Sequence, residues 1–119
     1  MAFSRGAVFD YLQRLFQGSL QGRDSVLTVG TSMVQAADRD NERVALTLVN
    51  IGASTIFVGP TTQVSLTRGI RLGSNGGLIT LSVDEDALLS ALEWNAISDV
   101  AGGTLYIITV RRETREEGG

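Results

Sequence analysis

The stretch Arg43-Val44-Ala45-Leu46-Thr47-Leu48-Val49-Asn50 decides how this chain reads. Val44, Leu46 and Leu48 fall on one side of an extended backbone and Ala45, Thr47 and Val49 on the other, a period of two that no helix presents. Aliphatic and β-branched residues fill the run, and Asn50 opens a turn at its end. Both sides are apolar. The same holds for Leu105, Tyr106, Ile107, Ile108 and Val110 near the C-terminus. A chain of 119 residues has room for one core, so a strand apolar on both sides needs a second cover. That cover is either an N-terminal helix or another subunit.

Outward from this run, short β-type segments continue at 26–30, 33–36, 55–59, 63–67, 70–72, 78–83 and 104–111. Ile56 and Val58 share one face opposite Phe57, and Val64 and Leu66 alternate with Gln63, Ser65 and Thr67, as half-buried strands do. The separators carry turn chemistry: Asp38-Arg39-Asp40-Asn41, Asn50-Ile51-Gly52, Gly59-Pro60, Ser74-Asn75-Gly76-Gly77 and Gly102-Gly103. The acidic and basic run through Asp38, Arg39, Asp40, Glu42 and Arg43 reads as a solvated loop. Ser82 and Glu85 have capping-box spacing, so a short helix is expected over 84–92, with Leu88, Leu89 and Leu92 pointing inward. Residues 94–97 return to a strand.

The N-terminal section has a different period. Over residues 4–21, Val8, Phe9, Leu12, Leu15, Phe16 and Leu20 recur at spacings of three and four, with Asp10, Gln13, Arg14 and Gln17 opposite. Ser4 suits the cap, and Gly18 or Gly22 the end. This amphipathic helix either packs on its own domain or serves as an arm for a neighbour. The chain thus divides into a helix or arm (1–22), a β-sandwich (23–112) and a charged tail (113–119), with Arg111 and Arg112 opening the frayed terminus.

Composition removes most catalytic chemistry. Cysteine and histidine are absent and all ten basic residues are arginine. Thiol nucleophiles, imidazole bases, Schiff-base lysines and the usual zinc ligands are therefore missing. No Gly-x-Ser-x-Gly elbow occurs. Asp84, Glu85 and Asp86 lack the spacing of a calcium loop and read as helix N-terminal charge. Asp86 with Glu93 as a glycosidase pair is a distant third reading in so small a domain. Trp94, with Tyr106, could stack on a sugar, but Leu88, Leu89 and Leu92 before it favour a core place. We expect no enzyme and no cofactor.

A net charge of −3 gives no general attraction to phosphate backbones or anionic lipid, so neither nucleic acid nor membrane is an expected partner. The uncharged run 44–67 is broken by Asn50, Gly52, Pro60 and Gln63, which suits strands better than a membrane span. Arg5, Asp10 and Arg14 interrupt any apolar signal-peptide core near the N-terminus. Arg68 and Arg71, flanking Gly69-Ile70, form either a small cationic patch or arginine–carboxylate pairs across a strand or subunit boundary.

The segments 43–50, Ile56-Phe57-Val58-Gly59-Pro60, Gly69-Ile70-Arg71-Leu72, Glu93-Trp94-Asn95-Ala96-Ile97 and Leu105-Tyr106-Ile107-Ile108 together resemble small β-sandwich virion structural proteins of tailed phages and related viruses, the capsid decoration (cement) and minor structural proteins. The resemblance spans about 70 residues of the β part and rests on hydrophobic and turn positions. It implies a mainly β, jelly-roll-like single domain that coats a capsid as a homo-oligomer in the virion, assembled in the host cytoplasm. Its partners would be the major capsid protein or other virion proteins. Phe9, Leu12, Leu15, Phe16 and Leu20 of the arm would then be partner-binding residues, with Arg68 and Arg71 setting register. The arms of such proteins are extended, whereas this one reads as helical. A tail, baseplate or glycan-receptor module is the alternative, using loops 60–63 or 74–77.

Overall fold

The computed structural model describes residues 20–112, which form eight strands and one short helical stretch. The strands are β1 (Leu20–Val29), β2 (Val34–Ala37), β3 (Arg43–Asn50), β4 (Ile56–Gly59), β5 (Ile70–Leu72), β6 (Leu78–Ser82), β7 (Trp94–Ser98) and β8 (Gly103–Arg112). Between β6 and β7 lie a single helical turn, α1 (Val83–Asp86), and a 3₁₀ turn (Ala87–Ala91). Two four-stranded sheets result: sheet A in the order β1-β8-β3-β6 and sheet B in the order β2-β7-β4-β5. Every pairing is antiparallel, and most successive strands change sheet, so the connections cross between layers as in a jelly roll. The fold is therefore mainly β, as the strand periodicity predicts.

The period of two explains the core. Sheet A turns Val29, Leu46, Leu48, Leu81, Leu105 and Ile107 inward, and sheet B contributes Ile56, Val58, Leu72, Trp94 and Ala96. Burying a large aliphatic side chain is worth roughly 1.5–3 kcal/mol, and these eleven form one cluster between the sheets. Trp94 sits there almost wholly buried, its Nε1–H donating to the Leu89 carbonyl (2.9 Å). It takes the core place and is shut away from stacking on a ligand.

Several expectations are corrected. Residues 20–22 belong to β1 and not to a helix: Leu20, the last residue of the helical stripe, pairs with Arg112, and Gly22 with Val110. Strand pairing over ten positions outweighs a helical period that stops at the glycines of 18 and 22. The rest of the expected helix, residues 4–19, lies outside the described residues, as does the tail 113–119. Arg111 and Arg112 are no frayed terminus. They close β8 and pair with Asp40 (3.0 Å) and Glu42 (2.7 Å). The 63–67 segment is not a strand: it folds into a tight turn in which Ser65 and Arg68 exchange backbone hydrogen bonds of 2.9 and 3.1 Å. Val64 plugs the core while Leu66 stays 47% exposed.

The Ser82 N–H donates to the Asp86 carboxylate (2.9 Å) across the single helical turn. Because the helix breaks after one turn into a 3₁₀ turn, the side-chain directions rotate, and Leu88 and Leu89 face solvent at 72% and 40% exposure rather than inward.

The loop reading of Arg43 fails too. Arg43 is 5% exposed and lies at the start of β3, where a bulge puts both Arg43 and Val44 on the buried side. Its Nε donates to the Ser90 carbonyl (2.7 Å), and its two terminal nitrogens donate to the carbonyls of Asp38 (2.9 Å) and Leu92 (2.5 Å). One guanidinium thereby ties the 3₁₀ turn and the β2–β3 connection to sheet A.

Candidate assembly surface

Alternation along each strand gives sheet A a second, outward face. The registers line up Val26 opposite Tyr106, Tyr106 opposite Val49, and Val49 opposite Leu78, so four apolar or aromatic residues cross all four strands in one row. Val26 and Leu78 at its ends are 62% and 58% exposed, and Tyr106 and Val49 between them are half-buried. One step along the strands runs Asp24, Ile108, Thr47 and Thr80, and the next runs Gly22, Val110, Ala45 and Ser82. The Thr47 and Thr80 hydroxyls meet at 3.2 Å, and Tyr106 Oη donates to Asp24 (2.7 Å). The Asp24 carboxylate raises the phenol's pKa by accepting that bond, which links β8 to β1. This is the second side of the doubly apolar strands, and it faces outward.

A cleft opens where the two sheets part beside β1 and β2. Its volume is about 410 Å³, and Ser25, Gln35, Asp38, Arg39, Ile107 and Thr109 are among its walls. At its rim Arg111 forks onto both Asp40 oxygens (3.0 and 3.3 Å) while the Glu42 N–H donates to the same carboxylate (2.9 Å). The Arg111 bond holds the Asp40 pKa below its ordinary value, partly opposed by burial. Burial lowers the Arg43 pKa, with Asp40 and Asp38 nearby opposing.

The sequence-derived partner residues scatter. Phe9, Leu12, Leu15 and Phe16 lie outside the described residues. Leu20 begins β1, half-buried and, by alternation, on the outer face of sheet A with Gly22, Asp24 and Val26. Arg68 and Arg71 are both exposed on the far side of the molecule, at the 65–68 turn and on edge strand β5 opposite Phe57. Among the described residues neither forms an intrachain ion pair with a carboxylate. Ile70 (42% exposed) and Leu66 sit beside them. Arg68 and Arg71 are therefore an exposed cationic edge with no carboxylate partner among the described residues.

The carboxylates weighed as a catalytic pair have local tasks: Asp86 caps the Ser82 N–H, and Glu93 accepts from Asn95 Nδ2 (3.0 Å). Among the described residues no three carboxylates gather as a metal site. Sequence reasoning missed the outward row because it is a property of register. Val26, Val49 and Leu78 are far apart in the chain, and no single segment displays them together.

No protein family matches the chain, and no curated protein does. Among solved structures it is similar to a Bacillus protein from the work "Bacillus endospore appendages form a novel family of disulfide-linked pili", with a TM-score of 0.50 and 13% identity over 81% of this chain and 88% of that one. It is also similar to dTDP-4-dehydrorhamnose 3,5-epimerase of Bacillus anthracis strain Ames, with a TM-score of 0.47 and 11% identity over 90% of this chain and 62% of that one. At such identities the likeness to the appendage protein is one of fold.

Proposed function

We propose that the protein is a non-enzymatic structural subunit of a repeating particle, a capsid decoration (cement) protein of a virion that binds the assembled lattice through oligomeric contacts. The observation that carries this reading is the apolar row Val26-Tyr106-Val49-Leu78 on the outer face of sheet A. An antiparallel sheet usually keeps a polar outward face, and a contiguous apolar one marks a protein contact. A subunit that binds only the assembled lattice stabilises it by mass action. The exposed Arg68 and Arg71 add a charged register element for an acidic partner surface.

The fold likeness to an endospore appendage protein favours a second reading, a subunit of a filament. Those pili are described as disulfide-linked. This chain has no cysteine, so its own copies would be held by apolar burial and guanidinium pairs. The test is the mass and symmetry of the purified protein in solution, followed by electron microscopy and co-sedimentation with capsids and with tails. Capsid binding supports the decoration reading, self-assembled fibres support the filament reading, and binding to tails alone supports a tail module. A single chain that binds no particle and forms no fibre overturns the proposal.

A further inference from the structure

We infer that the cleft beside β1 and β2 is a binding site for a small sugar acid, a polyhydroxylated molecule carrying one carboxylate. It opens on the inner side of sheet A, away from the apolar row, so the inference goes beyond the assembly reading and does not rest on it.

The cleft originates in unequal strand lengths. Val29 and Leu27 face the core from β1, and by alternation Ser25 and Arg23 share that side, opposite Ile107 and Thr109. In sheet B, β2 has four residues against the ten of β1 and carries a bulge between Gln35 and Ala37, so the second layer stops short. Ser25 and Arg23 are exposed as a result. Hydroxyls and a guanidinium stand where the covered part of the same face carries aliphatic side chains.

The chemistry of the walls selects the ligand. Arg43 lines the cleft at 5% exposure. A guanidinium has five N–H donors. Three of those on Arg43 meet carbonyls, so two have no acceptor among the described residues. Arg39, also in the wall, is exposed and forms no ion pair among the described residues. With Asp40 engaged by Arg111, these two guanidiniums are offset by Asp38 alone, which leaves one positive charge over. That balance suits a carboxylate, which a guanidinium meets with two parallel bonds, and disfavours a phosphate ester of nearly double charge beside Asp38. Ser25, Thr109 and Gln35 each donate and accept, as sugar hydroxyls do, and Ile107 adds an apolar floor. The volume of about 410 Å³ lies in the range of small-molecule sites.

Titration of the isotope-labelled full-length protein, followed by its backbone amide NMR signals, tests this with D-glucuronate and N-acetylneuraminate as probes and D-glucose and D-glucose 6-phosphate as controls. At least one acid saturably shifts the signals of Ser25, Gln35, Arg39 and Thr109, with a Kd of about 1 mM for a ligand of that size. Both controls bind about tenfold more weakly or worse. Arg39→Gln, at an exposed position that leaves the fold intact, weakens the acid about tenfold. Thr109→Val keeps the side-chain shape and weakens it too, with Ser25→Ala taking its place where the strand is disturbed. A glycan ending in the same acid that binds as tightly as the free acid identifies a terminal residue as the source, and binding of the free acid alone identifies a soluble one; either supports the inference. No saturable shift up to about 20 mM acid, equal binding of glucose, or unchanged affinity in Arg39→Gln overturns it. Those results leave the assembly reading to its own test of mass and particle binding.

Discussion

Replacing Arg43 with methionine keeps much of the side-chain volume and removes every donor, and its cost follows from the three carbonyls it abandons. The bond to Ser90 is buried and those to Asp38 and Leu92 are part-buried. A hydrogen bond to a charged group is worth about 1.5–3 kcal/mol net. The buried Ser90 carbonyl therefore loses the upper part of that range, while the other two recover part of theirs from water. Against this stands the relief of burying a guanidinium whose pKa is already depressed by desolvation.

The balance is a loss of about 3 kcal/mol. Substituting a hydrophobe for a buried charge can be neutral when both partners go, but here the carbonyls stay. In a domain of this size that lowers Tm by about 10–20 °C. Urea unfolding followed by Trp94 fluorescence and circular dichroism measures it. Trp94 is the one tryptophan, buried two residues from Leu92. An unchanged slope with a lower midpoint assigns the loss to stability. Arg43→Lys, which keeps the charge but cannot fork, falls between the two. A methionine variant within about 0.5 kcal/mol of wild type refutes the view that this residue ties the two connections to the sheet.

Asn50→Ala is expected to cost about 2–4 kcal/mol in the same assay, because the buried amide donates to Ser54 (2.7 Å) and Leu72 (3.0 Å) and accepts from Gly52 N–H (3.1 Å). Gly77→Ala should lower the urea midpoint by at least as much, since a Cβ there would lie 2.4 and 2.6 Å from backbone atoms of Gly73. Its neighbours Asn75 and Gly76 already hold the turn at positive φ, leaving no slack to absorb the shift. For Asp40 the sign is that of a depressed carboxylate: its contribution is complete above its unfolded pKa and disappears as pH falls through the lower folded value. Thermal melts of Asp40→Asn should thus be less stable than wild type at neutral pH and converge on it below about pH 4. Curves that stay parallel throughout would remove Asp40 from the acid response.

Local pattern was enough for the strands whose identity lies in their own residues. The alternation of 43–50, the 70–72 run and the turn residues of 74–77 needed no neighbours, because side chains on an extended backbone alternate whatever they pair with. The absence of cysteine, histidine and lysine likewise narrowed the chemistry before any fold was known.

What tertiary structure decided is everything that depends on distant partners. Arg43 sits among charges that read as solvated, yet two of its acceptors lie 47 and 49 residues away. Leu20 continues a helical stripe by spacing and becomes a strand residue because Arg112 pairs with it. Leu88 and Leu89 are apolar by sequence and exposed because the helix they were expected to join ends after one turn. The outward row is the clearest instance. Valine, tyrosine and leucine at 26, 49, 78 and 106 carry no common motif, and only the register of four strands sets them side by side as one apolar surface.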